Sequence, residues 1–213
     1  MMKRSERIRI IVGAMINIIV FCLSVYCLST FIRYAIHGNP DNRFRYFTNI
    51  STLTVGFIAL PNAVLLVVSA IKGRMIYPTF LSIVKFIGLS MISLTFFTVL
   101  CFIAPLSSFK SMYQNMRFIT HLVIPILVMA SYFFLEEKTM FEWKLSMIGV
   151  VPSIIYTAIY GINVVLLKTW DDIYKVNNDG LWFLFASLVV LFNFAICLGL
   201  YFAKRALIKK LSK

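Results

Sequence analysis

Residues 10–32 read IIVGAMINIIVFCLSVYCLSTFI, a run of 23 positions without a charged side chain. At 1.5 Å rise per residue it makes a helix of about 35 Å, enough to cross a hydrocarbon core of about 30 Å. Lys3, Arg4, Arg7 and Arg9 precede it, as in a signal peptide. A signal core, however, is about 7–15 residues long, so this run is expected to stay in place as a first span.

Five further runs of the same kind follow. Spans are expected at about 10–32, 46–71, 82–109, 118–135, 145–167 and 180–203, the third built on a charge-free stretch beginning at Phe86. The composition agrees: of 213 residues 61% are hydrophobic and 14% charged, against roughly 25% charged in a soluble domain. Helices satisfy their own backbone hydrogen bonds in lipid, and no ten-residue alternating strands of a barrel are present. The expected fold is an all-α integral membrane protein, one domain over residues 1–213 formed by a bundle of six transmembrane helices. Its loops are short, so any activity must lie in the bundle or at its mouths.

A net charge of +13 in a soluble protein would suggest nucleic acid as a partner. Here the basic residues flank the apolar runs and read as topology signals. With the N-terminus inside, the inner side holds 14 Lys and Arg and the outer side 7. That asymmetry places both termini in the cytoplasm of a multi-pass cell-membrane protein, with the bilayer as its partner and no nucleic acid. Cys22, Cys27, Cys101 and Cys197 all fall within spans, without C-x-x-C spacing, and read as packing residues. His37 and His121 are the only histidines, and no carboxylate falls within a charge-free run, so neither a metal site nor a cofactor is expected. Phosphate-loop, zinc-peptidase and nucleophile-elbow motifs are absent, as is an internal repeat.

The polar residues of the spans remain. An ionisable group in a transmembrane helix is costly, which makes His121 the most informative position, although an imidazole can also simply bridge two helices. His121, Pro125, Met129 and Tyr132 follow at helical spacing and are expected to face the bundle interior. The second span opens with Thr48, Asn49, Ser51 and Thr52, of which Thr48, Ser51 and Thr52 share a face. Both helices run inward, so Thr48 and His121 are expected roughly 3–5 Å below the outer boundary, at matching depth. A hydroxyl beside a neutral imidazole is the minimal apparatus for acyl transfer, the histidine taking the proton as the oxygen attacks a carbonyl.

Arg43, Arg45 and Arg117 lie near the same outer surface and suit a carboxylate headgroup, or else ordinary interfacial anchoring. The third member of a triad is either absent or comes from Asp41, Asp171 or Asp172 in the outer loops. Tyr156, Tyr160 and Asn163, with Pro152, form a stripe on span five that could line an outward cavity or glue helices together, and the loop from Thr169 to Tyr174 would cap it or anchor the interface. Lys85 is expected to snorkel or to pair with Glu136 or Glu142.

The stretch Tyr46–Ser51 (YFTNIS) and the stretch His121–Leu135 (HLVIPILVMASYFFL) resemble the two signature segments of the bacterial Pr-six-Pr membrane proteins, which are similar to the animal androgen-induced and androgen-dependent TFPI-regulating proteins. The resemblance implies six helices and, from the animal members, a threonine and histidine pair that hydrolyses fatty acid esters of hydroxy fatty acids. Thr48 and His121 match that pair. Thr52 stands where the pattern expects asparagine, and Ser131 where bacterial relatives often carry aspartate. The expected function is thus hydrolysis of a lipid ester by Thr48 and His121, with Arg45, Arg117, Ser51, Thr52, Tyr156, Tyr160 and Asn163 holding the acyl ligand. The alternative is a non-catalytic membrane protein that binds a lipid or partner, or a small-solute transporter or channel.

Overall fold

The computed structural model describes residues 2–37, 43–135, 142–175, 177 and 180–211. Six helices are long and apolar enough to cross a membrane: α1 (Arg4–Ile36), α2 (Phe47–Lys72), α3 (Thr79–Leu106), α4 (Asn115–Leu135), α5 (Trp143–Leu166) and α6 (Trp182–Lys210). No strand occurs among the described residues. The large apolar side chains on the outside, Phe57, Ile71, Phe80, Leu106, Leu166 and Phe183 among them, are largely exposed, as a lipid-facing surface requires. Which membrane it is, and which way the chain crosses it, does not follow from length and hydropathy.

The helix ends depart from the charge-free runs. α1 and α6 continue through Arg4, Arg7, Arg9, Arg205 and Lys209, because long basic stems let a helix run on into the headgroups, whereas Lys204 on α6 is buried against α4. α3 takes in Lys85 and starts at Thr79, and it ends at Leu106, where Ser107 turns away from helical geometry (φ −110°, ψ −79°). α4 begins about one turn before the expected Phe118, at Asn115, whose φ of 53° marks the turn into it. At its other end α2 closes on Gly73 in the left-handed conformation (φ 62°), a position glycine occupies without strain, and the Gly73 carbonyl accepts the Met2 N–H at 3.1 Å. The start of α1 therefore meets the end of α2.

α3 is the centre of the bundle and packs on α2, α4, α5 and α6. Leu89, Ser90, Ile92 and Ser93 are completely buried there, and Phe86 and Ile124 fill the space between α3 and α4. α1 lies chiefly against α2. Their axes approach closely at Gly56, where an added Cβ would stand 2.2 Å from the Ser24 Cβ, and the Ser24 hydroxyl donates to the Thr52 carbonyl at 3.1 Å. Between lipid-solvated helices such contacts, not apolar burial, drive association.

On the α4 face Val128 is buried, whereas Met129, expected there, is half-buried. His121, Pro125 and Tyr132 take the buried line as expected. Lys85 does not snorkel: it is 6% exposed and held inside the bundle. Glu142 is exposed and forms no ion pair with it, and Glu136 lies outside the described residues.

Because Gly56 has no room for a side chain, Gly56→Ala should lower the unfolding temperature of the detergent-purified protein by the equivalent of about 1–3 kcal/mol. Adding Ser24→Gly removes the colliding Cβ and should recover most of that loss in the same thermal scan.

Candidate functional site

The first turn of α2 is built by parts distant in sequence. Tyr46, in extended conformation (φ −84°, ψ 128°), leads into the helix, and its carbonyl accepts the N–H groups of Asn49 and Ile50 at 3.0 and 3.1 Å. The Phe47 N–H, left over at the helix start, donates to the Tyr174 hydroxyl at 3.2 Å. The Tyr156 hydroxyl donates to the Arg45 carbonyl at 2.8 Å, and its ring lies 4.9 Å from that of Phe47. Tyr160 completes the clamp: its hydroxyl donates to Asp172 Oδ1 at 3.0 Å and accepts the Tyr174 N–H at 3.2 Å. The loop after α5 is thus pinned over the start of α2, and Thr48, next in line after Phe47, is half-buried.

His121 sits in a π-helical turn, Ile119–Val123, a local widening often found at functional sites. It is 9% exposed, and its Nδ1 lies 3.0 Å from the Met112 carbonyl. A carbonyl only accepts, so Nδ1 carries the ring proton and Nε2 presents a lone pair. This is the tautomer a general base needs. Neither candidate carboxylate orients the ring. Asp171 pairs with Arg45 at 3.4 Å, Asp172 receives the Tyr160 hydroxyl, and Asp41 lies outside the described residues. A backbone carbonyl takes the place expected of an acid.

The segment Ile119–Val123 packs against α2. No hydrogen bond joins Thr48 to His121. Counted from the helix starts, Thr48 lies about 1.5 Å in and His121 about 9 Å in, so the matching depths expected from the charge-free runs do not follow once α4 is seen to begin at Asn115.

The expected binding residues are divided among separate tasks. Ser51 and Thr52 are wholly buried between helices. Ser51 donates to the Thr48 carbonyl at 2.9 Å and lies 3.0 Å from the Thr95 hydroxyl. Arg117 donates to the Ser111 carbonyl at 3.2 Å, and Arg43 stacks over the Tyr34 ring at 4.4 Å, so the guanidinium groups are engaged apart. Asn163 serves its own helix end, donating to Ile159 O at 2.9 Å and accepting from Thr169 Oγ1 at 2.8 Å. Tyr156 and Tyr160 hold the loop and the start of α2.

Sequence reasoning missed Met112, which acts through a carbonyl that no side-chain pattern reveals; Tyr174 belongs to the loop expected to cap the cavity or anchor the interface, and its task is instead to hold the start of α2. It also passed over a cavity between α1, α2, α3 and α4 lined by Asn17, Asn62, Lys85 and Ser131. Two amides within apolar runs were the available signal for that cavity. Among the described residues no cluster of His, Cys, Asp and Glu could hold a metal ion. In comparisons with known proteins no family model, no curated protein and no solved structure matches the chain.

Tyr156→Phe and Tyr174→Phe each remove one hydroxyl from the clamp and keep the ring. Each should cost about 1 kcal/mol in thermal unfolding. Amide exchange in the first turn of α2 should rise with it.

Proposed function

We propose that the protein is a multi-pass cell-membrane enzyme, both termini cytoplasmic, that hydrolyses lipid esters with Thr48 as nucleophile and His121 as general base. The reading rests above all on the Met112 carbonyl held against His121 Nδ1, which leaves Nε2 as the proton acceptor. It is also supported by the packing of the His121 segment on α2, and by the likeness of the YFTNIS and HLVIPILVMASYFFL stretches to the Pr-six-Pr proteins.

In this mechanism Nε2 takes the Thr48 hydroxyl proton as Oγ1 attacks the ester carbonyl. The imidazolium then returns a proton to the departing alkoxide, leaving an acyl-threonine, and water, deprotonated by the same nitrogen, releases the fatty acid. The two side chains are not hydrogen-bonded in the resting structure, so the bound ester has to bring them together. The exposed apolar side chains of the bundle suit an acyl substrate that arrives sideways from the bilayer rather than from water.

Purified protein in detergent, given simple and branched fatty acid esters, should release fatty acid. Thr48→Ala and His121→Ala should each reduce turnover at least about 100-fold, and Thr48→Ser should retain part of it. A fluorophosphonate probe should label the wild type and not Thr48→Ala. Full turnover in both alanine variants would overturn the Thr48 and His121 assignment, and no turnover by the wild type would leave the non-catalytic reading, binding of a lipid or partner. Reporter fusions at each end should both report the cytoplasmic side.

A further inference from the structure

α1 touches both α2 and α4 and runs opposite to each, so it serves as a ruler for depth. On α2 it meets Gly56, where an added Cβ would stand 2.2 Å from the Ser24 Cβ. On α4 its Asn17 Nδ2 lies 3.2 Å from Ser131 Oγ. The step from Asn17 to Ser24 along α1 is matched by the step from Ser131 back to Ile124 along α4, so Ile124 stands level with Gly56. His121, three residues nearer the start of α4, then stands level with Leu53. Thr52 is about 1.5 Å from that level, and Thr48 about 7.5 Å.

The faces agree as well as the levels. Val55, Ala59 and Asn62 of α2 and Val128 of α4 line one cavity, so those sides of the two helices are turned to each other. Thr52 precedes Val55 by three residues and Ala59 by seven, and His121 precedes Val128 by seven, so both continue the shared seam. Thr48, one turn before Thr52, lies on it too, and the Ile119–Val123 turn packs against α2.

The Thr52 hydroxyl is unspent. It is 0% exposed and forms no hydrogen bond. A threonine within a helix ordinarily turns its hydroxyl to the carbonyl one turn back, as Thr54 does to Ile50 at 2.8 Å. The equivalent acceptor for Thr52 is the Thr48 carbonyl, which already receives the Ser51 hydroxyl at 2.9 Å. An orphaned hydroxyl in a low-dielectric bundle is destabilising, and stability alone would favour valine, which has nearly the same shape.

We propose that Thr52 relays the proton from Thr48 to His121. The inference rests on the Thr48 and His121 reading, whose two side chains are not joined in the resting structure. Residues four apart on a helix hold their Cβ atoms about 5–6 Å apart, and hydroxyls turned toward each other shorten that to hydrogen-bond reach. In acylation the Thr52 Oγ1–H bond breaks as its proton passes to His121 Nε2, and Thr52 Oγ1 takes the Thr48 proton. Thr48 Oγ1 bonds to the ester carbonyl carbon, whose π electrons move onto the carbonyl oxygen. Thr52 ends as the neutral hydroxyl it began. Run in reverse, the relay delivers the imidazolium proton to the departing alkoxide. A bound ester then has only to turn Thr48 toward its neighbour one helical turn away.

Kinetics of the full-length protein in detergent on a simple fatty acid ester test the relay. Thr52→Val keeps the shape and should lower kcat/KM at least about 100-fold through kcat, with KM changed by less than about twofold, while unfolding at or above the wild-type temperature. Thr52→Ser restores the hydroxyl and should stay within about tenfold of wild-type turnover. In mixtures of light and heavy water the wild-type kcat/KM, which reports acylation, should follow the curve of two protons in flight, and the residual rate of Thr52→Val a straight line. Undiminished turnover in Thr52→Val beside an inactive Thr48→Ala would overturn the relay and leave the nucleophile in place. Equal losses in Thr52→Val and Thr52→Ser would overturn it too, as would a straight line for the wild type, whether or not the valine variant folds. No turnover by the wild type would overturn relay and pair together.

Discussion

Polar groups inside a lipid-solvated bundle have no water to fall back on, so most buried hydroxyls, amides and carbonyls find partners within the protein, in their own helix or across to another. The contact between α3, α5 and α6 shows how much of the architecture follows. The Ser90 hydroxyl lies 2.8 Å from the Gly149 carbonyl and 3.0 Å from Asn193 Oδ1, while Asn193 Nδ2 donates to Ser153 Oγ at 3.0 Å and to Gly149 O at 3.3 Å. Gly149 makes the approach feasible, since a Cβ there would stand 2.9 Å from the Cys197 sulfur. Three helices are keyed in register by one small group of polar atoms, and α3, from which Ser90 projects, becomes the element around which the others are arranged.

The same constraint shapes the end of the bundle that carries Thr48. Phe47 N–H has no acceptor within its own helix and finds one in Tyr174; Arg45 O finds the Tyr156 hydroxyl. Satisfying those two backbone groups fastens the loop after α5 to the beginning of α2 and so fixes where Thr48 sits. On α4 the π turn displaces the backbone around His121, and the ring spends one nitrogen on Met112 O. Orientation by a peptide carbonyl has an electrostatic advantage in a membrane. It sets the tautomer without placing a carboxylate in a low-dielectric region, where an extra charge would be costly.

The sequence was most legible where the physics is collective. Six long uncharged runs imply six helices whatever their partners, and the structure has them. It was least legible where one charge or one backbone atom decides. Lys85 and Lys204 looked like boundary markers, because charge counting has no means of telling a snorkelling lysine from one that a neighbouring helix encloses; both are buried. Ser51 and Thr52 looked accessible beside Thr48, but three and four residues of helical rotation and descent take them into the contact with α1 and α3. The start of α4 was hidden for a related reason: it is set by Asn115 turning through positive φ, a local choice masked by Arg117 in any hydropathy reading.

Lys204 closes the far end of α4. The carbonyls of Tyr132 and Phe133, in the π turn Ser131–Leu135, are met by an ammonium that comes from α6. The order of synthesis gives this arrangement a consequence. When the ribosome has released α4 to the bilayer, the lysine that meets those carbonyls is still some seventy codons away, so this tie between α4 and α6 forms only after the last helix has been made. A chain that stops short of α6 therefore lacks both this tie and the Asn193 contacts that key α3 to α5.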